Sequence, residues 1–170
     1  DPAVKADREV VMAAVQKSGI ALEHVDPIMQ ADREVVLAAV RCDSRAFLYA
    51  APEMKVDREV VAARSRAEVL FAVRQRGWRP VYALRDAGPT MQADREVVMA
   101  AVQSNGMALQ HADPILQADR EVVIAAVQCD WRAFKHAAPE MKADREVVVA
   151  RSRAEVLYAV RQRGWWAVDA

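Results

Sequence analysis

Apolar residues along the chain fall into short runs, each opened by the polar triplet Asp-Arg-Glu, and the runs return at a fixed step. Asp7, Asp32 and Asp57 open the first three and Asp94, Asp119 and Asp144 the next three, with steps of 25 residues inside each triple and a constant offset of 87 between the triples. The run Val10-Val11-Met12-Ala13-Ala14-Val15 has the β-branched content of a buried strand. However, Val10, Val11, Ala14 and Val15 stand at i, i+1, i+4 and i+5, which is one face of a helix. Asp7 suits the N-cap of that helix, because its carboxylate accepts from the free amides of the first turn, and Glu9 adds negative charge at the positive end of the dipole. Met12 and Ala13 carry the apolar surface further around the cylinder, so each such helix is expected to have neighbours on two sides.

The spacing predicts a helix end at Lys17-Ser18-Gly19, with the glycine in the left-handed conformation and Ser18 capping a second, short helix. Ser18, Asp43, Asn105 and Asp130 share this position. The short helices end at Pro27, Pro52, Pro114 and Pro139, each followed two residues on by Met or Leu, a turn pinned by an apolar plug. The third member of each triple departs from this plan. From Asp57 to Gly77 is 20 residues where Asp7 to Gly19 is 12, and the excess is a little over two helical turns. Long helices are therefore predicted over 57–76 and 144–163. Residues 1–83 and 88–170 agree at roughly three-quarters of positions, placing a duplication seam near Gly88-Pro89. The expected architecture is all-α, an α-solenoid-like stack of short helical hairpins. It has six repeats in two near-identical three-repeat blocks, 1–87 and 88–170, in one continuous array.

The stretch Asp-Arg-Glu-Val-Val-Leu-Ala-Ala-Val at 32–40, and Val73-Arg-Gln-Arg-Gly-Trp78 with Tyr82-Ala83 after it, resembles the tandem DREVVLAAV repeat family. That family is a domain of unknown function abundant in dinoflagellates and other protists. The resemblance covers nearly the whole chain and implies a helical repeat fold, with no catalytic residues to carry over. The chain departs from the family pattern in its eight-residue extension, in Ser44 and Trp131 where the repeat prefers Gly, and in Pro80.

Composition narrows the chemistry. Hydrophobic residues make up 54% of the chain, and 24 Lys and Arg balance 24 Asp and Glu, so no global field recruits nucleic acid or an anionic surface. No apolar run approaches the ~18 residues of a membrane-spanning helix. Cys42 and Cys129 occupy equivalent places in two copies and do not imply a bond to each other. A small buried thiol and a reducing intracellular compartment, the plastid being the organellar case, are the expectation. The opening Asp1-Pro2 is in phase with Asp26-Pro27, which reads as a processed chain or a piece of a longer array.

The six Asp-Arg-Glu triplets offer paired carboxylates, but a catalytic pair is needed once and in a cleft. Capping plus an ion pair to the next unit is the reading that fits six copies. His24, His111 and His136 fall in the slot held by Tyr49 and lack a second ligand one turn away, so a half-buried, hydrogen-bonded ring is expected instead of a metal ligand. With no nucleophile constellation and no glycine-rich phosphate loop, neither an enzyme nor a cofactor is expected.

The richest stretch is Arg64 to Arg79. Arg64, Arg66, Arg74, Arg76 and Trp78, with Arg151, Arg153, Arg161, Arg163, Trp165 and Trp166 in the second copy, form the candidate interaction surface, because Arg beside Trp is enriched at protein interfaces. The expected function is a non-catalytic scaffold or protein–protein interaction module, in one version a peripheral subunit of a large organellar, for example photosynthetic, assembly. The alternative is a single-stranded RNA binder using the Arg and Trp of the long helices.

Overall fold

The computed structural model describes residues 7–75, 77 and 79–164. Among them the fold is all-α, and the chain divides into two compact units, Asp1–Glu68 and Val69–Ala170. In the first, helices α1 (Arg8–Lys17) and α2 (Arg33–Cys42) pack side by side, and α3 (Arg58–Val73) begins. Short 3₁₀ segments, Gly19–His24 and Ser44–Tyr49, lie alongside each other as the outer layer. The second unit contains α4 (Arg79–Asp86), α5 (Arg95–Ser104), α6 (Arg120–Cys129) and α7 (Arg145–Gly164). Here α6 packs between α5 and α7, the two-sided neighbourhood that the wide apolar face requires. The cores are built from that face. Val11, Val36, Ala39, Val98, Ala101, Val123 and Ala126 are buried, while Ala14 in α1 is only half-buried.

Each of the six recurrent aspartates caps its helix. Asp32 accepts from the amides of Glu34 and Val35 at 3.0 and 3.1 Å, and Asp7, Asp57, Asp94, Asp119 and Asp144 each accept from first-turn amides in the same way. The arginines that follow the caps of α1, α2, α5 and α6 reach forward into the next unit. Arg8 bridges to Asp32 at 3.0 Å and also pairs with Glu34, and Arg33 bridges to Asp57 and Glu59 at 3.2 and 2.7 Å. Likewise Arg95 pairs with Asp119 and Glu121, and Arg120 with Asp144 at 2.7 Å. The triplet is thus a joint: Asp starts its own helix, while Arg ties that helix to the start of the following one.

The glycines and the short helices correct the sequence reading. Gly19 has no positive φ; among the described residues that conformation occurs at Gly77 and Gly88. Gly19 is required by proximity, since a Cβ there would run into the carbonyl oxygen of Ala39 and sit 2.9 Å from the amide nitrogen of Asp43. With Ser44 and Trp131 in place of glycine, α2 and α6 still end at Cys42 and Cys129, and Ser44 and Trp131 open the 3₁₀ segments that follow. The outer segments are 3₁₀ rather than α-helix. Asp43, Asn105 and Asp130 cap them by accepting from Arg45, Met107 and Arg132, whereas the Ser18 side chain makes no capping bond.

The connections use a device absent from the sequence reading. Gln30, Gln92 and Gln117 end one-turn helices begun by Pro27, Pro89 and Pro114. Gln30 donates through its side chain to the Leu22 carbonyl at 3.0 Å and accepts through its own carbonyl from Ala51 N at 2.9 Å. Gln117 repeats this with Leu109 and Ala138. In the third units Lys55 and Lys142 take the slot and donate to the carbonyls of Leu48 and Lys135. The apolar plug is present, with Met29, Met54, Leu116 and Met141 packed onto the cores.

Because the caps are charge-assisted, their strength depends on pH. The Arg8 hydrogen bond holds Asp32 below the usual carboxylate range, and the amides of Val35 and Glu34 add to this against the opposing push of burial. Asp57 and Asp144 are lowered first by the amides of Val60 and Val147, then by Arg33 and Arg120. A carboxylate lowered on folding contributes stability that is present above the unfolded value of ~3.9 and is lost as pH falls through the folded value. Asp32→Ala is expected to cost about 0.5–2 kcal/mol at neutral pH, read from thermal melts, and the gap from wild type should begin to narrow as pH falls below about 4. A gap of the same size at pH 3 and pH 7 would remove the titration account.

Candidate functional site

The long helices alone break the repeat plan. Their extra turns follow from Ser65-Arg66-Ala67-Glu68 and Ser152-Arg153-Ala154-Glu155 standing where the other units turn, with helix-forming residues continuing on both sides. The first, α3, stops at Val73, three residues short of the predicted end. There the Gln75 side chain donates to the Phe71 carbonyl at 3.2 Å, and Gly77, with φ of 88°, reverses the chain. Asn105 donates to the Gly77 carbonyl at 2.8 Å and fixes that turn. The following helix α4, with Pro80 in its first turn and Val81 and Leu84 buried, was not anticipated from sequence.

The structure gives the candidate arginines different surroundings. Arg64 binds Glu68 at 2.8 Å and stacks 4.6 Å over the Phe47 ring; Arg151 repeats this over Phe134 at 4.7 Å, with Glu155 at 3.8 Å. These two therefore hold each long helix against the 3₁₀ segment of the preceding unit. Arg66 also takes part in an interaction and is half-buried. Arg74 faces Glu96 at 3.9 Å beside a shallow cleft walled by Met99, Ala100 and Gln103. Arg153 and Arg161 are exposed, Arg153 at the edge of an apolar groove. Arg76, Trp78, Trp165, Trp166 and the side chain of Arg163 lie outside the described residues.

Two features were missed from sequence. The first is the exposed apolar surface of α7: Val148, Val149, Val156, Leu157, Tyr158 and Val160 all reach solvent, and Val148, Val149, Val156 and Leu157 form the groove that Arg153 borders. The second is a recess lined by Trp131, Arg132, Phe134, Lys135 and Arg151. Trp131 was visible as a departure from the repeat, but the convergence of the others depends on α7 crossing the 3₁₀ segment.

The remaining chemistry-bearing residues are dispersed. Cys42 and Cys129 are exposed, not buried, because each is the last residue of its helix before the capping aspartate turns the chain. His111 and His136 are held below the usual histidine range, chiefly by burial. The expected hydrogen bond is missing at His136, whose buried Nε2 has no partner. Among the described residues no three His, Cys, Asp or Glu converge as a metal site, and no helix is long and apolar enough to cross a membrane.

No curated protein and no solved structure matches the chain. A family model matches it twice in tandem, over residues 68–117 and 119–166. Each match spans about two of the 25-residue units, and the first begins at Glu68, one residue before the second compact unit. These two matches take in more than half of the sequence, and the chain accordingly belongs to the family described as a domain of unknown function, DUF4116.

Proposed function

We propose that this chain is a non-catalytic helical-repeat scaffold that docks onto a partner protein, as a peripheral subunit of a larger assembly of the kind found in organelles. The observation that carries this reading is α7. A 20-residue helix that packs by its first turns and then presents Val156, Leu157, Tyr158 and Val160 to solvent, with Arg153 and Arg161 exposed beside them, has the composition of a docking element. The carboxylates support the same reading, since the recurrent aspartates are committed to caps and inter-unit bridges.

The test is capture from native extract with wild type and with a Val149→Glu, Val156→Glu variant, after which the captured protein is purified and its affinity for both is measured. Both valines are exposed, so the variant should fold. Loss of roughly tenfold or more in affinity is expected, the equivalent of about 1.4 kcal/mol. Equal binding by both would overturn α7 as the docking element. The recess at Trp131, Arg132 and Lys135 supplies the alternative outcome: binding of single-stranded RNA that weakens steeply with salt and is lost in Arg132→Glu, Lys135→Glu would favour an RNA-binding function.

A further inference from the structure

Residues 31–77 and their counterparts 118–164 are identical at most positions, and three of the differences gather at one place in the second unit. Ser44, Leu48 and Phe71 of the first copy are Trp131, Lys135 and Tyr158 in the second. Trp131 and Lys135 line the open recess together with Arg132, Phe134 and Arg151, which match Arg45, Phe47 and Arg64. Tyr158 lies within electrostatic range of Arg132. The recess measures about 310 Å³, at the small end of ligand pockets. The shared residues form a fixed frame: Asp130 clamps Arg132 through Nε and Nη2 at 3.0 and 2.9 Å, and Arg151 stacks over the Phe134 ring. The pairs Asp43–Arg45 and Arg64–Phe47 repeat it in the first copy. The three exchanges therefore change what the frame presents, adding an indole ring, a phenol and one positive charge. Lys135 is exposed, with Asp130 already engaged by Arg132. The place is open in both copies, since Leu48 is 66% exposed although a long stretch of chain follows it.

We infer that this recess is a binding site for a nucleoside phosphate, with the base on Trp131 and the phosphate on Arg132 and Lys135. Ring and charge stand side by side here, and a ligand that joins a planar ring to a dianion uses both. An aromatic face accepts any base, and Arg and Lys are the side chains that best hold phosphate oxygens. The absence of a glycine-rich loop is no obstacle, because side chains supply the donors in place of backbone amides. A single nucleotide fits better than a strand, since single-strand binders stack successive bases on a run of aromatic rings along a positive groove. In this chain the first copy offers Ser44 and Leu48 at the same place, and the whole sequence carries no net charge. The inference goes beyond the docking role of α7 and is independent of it, for Val149 and Val156 do not line the recess.

The experiment is isothermal titration calorimetry of the full chain at low salt, with adenosine monophosphate as the probe and circular dichroism to confirm folding. Adenosine, ribose phosphate and a short oligoadenylate serve as comparisons. Wild type is expected to bind adenosine monophosphate at one site per chain, with adenosine and ribose phosphate each weaker by about tenfold or more. Trp131→Ser and Lys135→Leu restore the residues of the first copy, so both should fold, and each should weaken binding by about tenfold. Because the frame is shared, Ser44→Trp combined with Leu48→Lys should add a second site. Adenosine monophosphate that fails to bind, that binds no better than adenosine or ribose phosphate alone, or that binds Trp131→Ser as tightly as wild type overturns the site. A double variant that stays at one site overturns its assignment to these side chains. Oligoadenylate that binds more than about tenfold tighter than the mononucleotide overturns it in favour of a strand.

Discussion

Replacing Leu109 by alanine is expected to destabilise the second unit by about 3–4 kcal/mol, within the range for a fully buried leucine whose cavity cannot collapse. Leu109 is completely buried in the core that holds Val97, Val98, Val122 and Val123. Its backbone is also pinned, since its carbonyl accepts from Ala112 N at 3.1 Å and from the Gln117 side chain at 3.2 Å. The segment therefore cannot slide inward to fill the space. In a chain of this size that loss corresponds to a fall in melting midpoint of about 10 °C. Leu109→Met, which keeps the volume, should cost less than about 1.5 kcal/mol. If the two variants melt together, the loss is not a packing loss.

The second large effect concerns a single added methyl. Gly106→Ala should cost about 3 kcal/mol, the upper end of what overpacking usually brings. A Cβ at this position would overlap the Ala126 carbonyl oxygen and lie 3.0 Å from the amide nitrogen of Asp130. Neither group can retreat easily, because the two are bonded to each other at 2.9 Å as the last turn of α6. The φ of Gly106 is not positive, so alanine also restricts the unfolded chain, an opposing gain of about 0.4–1 kcal/mol. The sign is set by the collision. Gly88→Ala makes an informative comparison: a Cβ there meets nothing, and only its φ of 78° is unfavourable. A Gly106→Ala protein at least as stable as wild type would mean that α6 yields to the methyl.

What could be read from sequence was whatever a repeat writes locally. Asp7 and its five counterparts announced their helices through cap chemistry, and the apolar face of Val10, Val11, Ala14 and Val15 announced the core. The eight-residue excess announced the long helices. The same positions misled where the cause lies in another unit. Gly19 was read as a left-handed residue because glycine often ends helices, yet its reason is the backbone of Ala39, 20 residues away. Cys42 was read as buried because thiols usually are, yet the helix ends on it. For the candidate site the limit is sharper still. Leu70 and Leu157 sit in almost the same twelve-residue sequence and differ in burial, so no local pattern could have separated them. The arginines drew attention by their number, and Arg64 and Arg151 are engaged with Phe47 and Phe134 inside the molecule.

The forward reach of each triplet arginine sets a length quantum for the chain. Arg8 and Arg33 meet carboxylates 24 and 26 residues further on, and Arg95 and Arg120 do the same. Loss or gain of 25 residues inside a regular run therefore hands the arginine that spans the change a new but equivalent Asp and Glu and leaves the other pairs as they were. Loss of 24 or 26 shifts that register by one residue and presents the wrong residue to the arginine that spans the change. Growth by whole units is the evolutionary path of least damage, and the surviving 25-residue steps before and after α3 are its record.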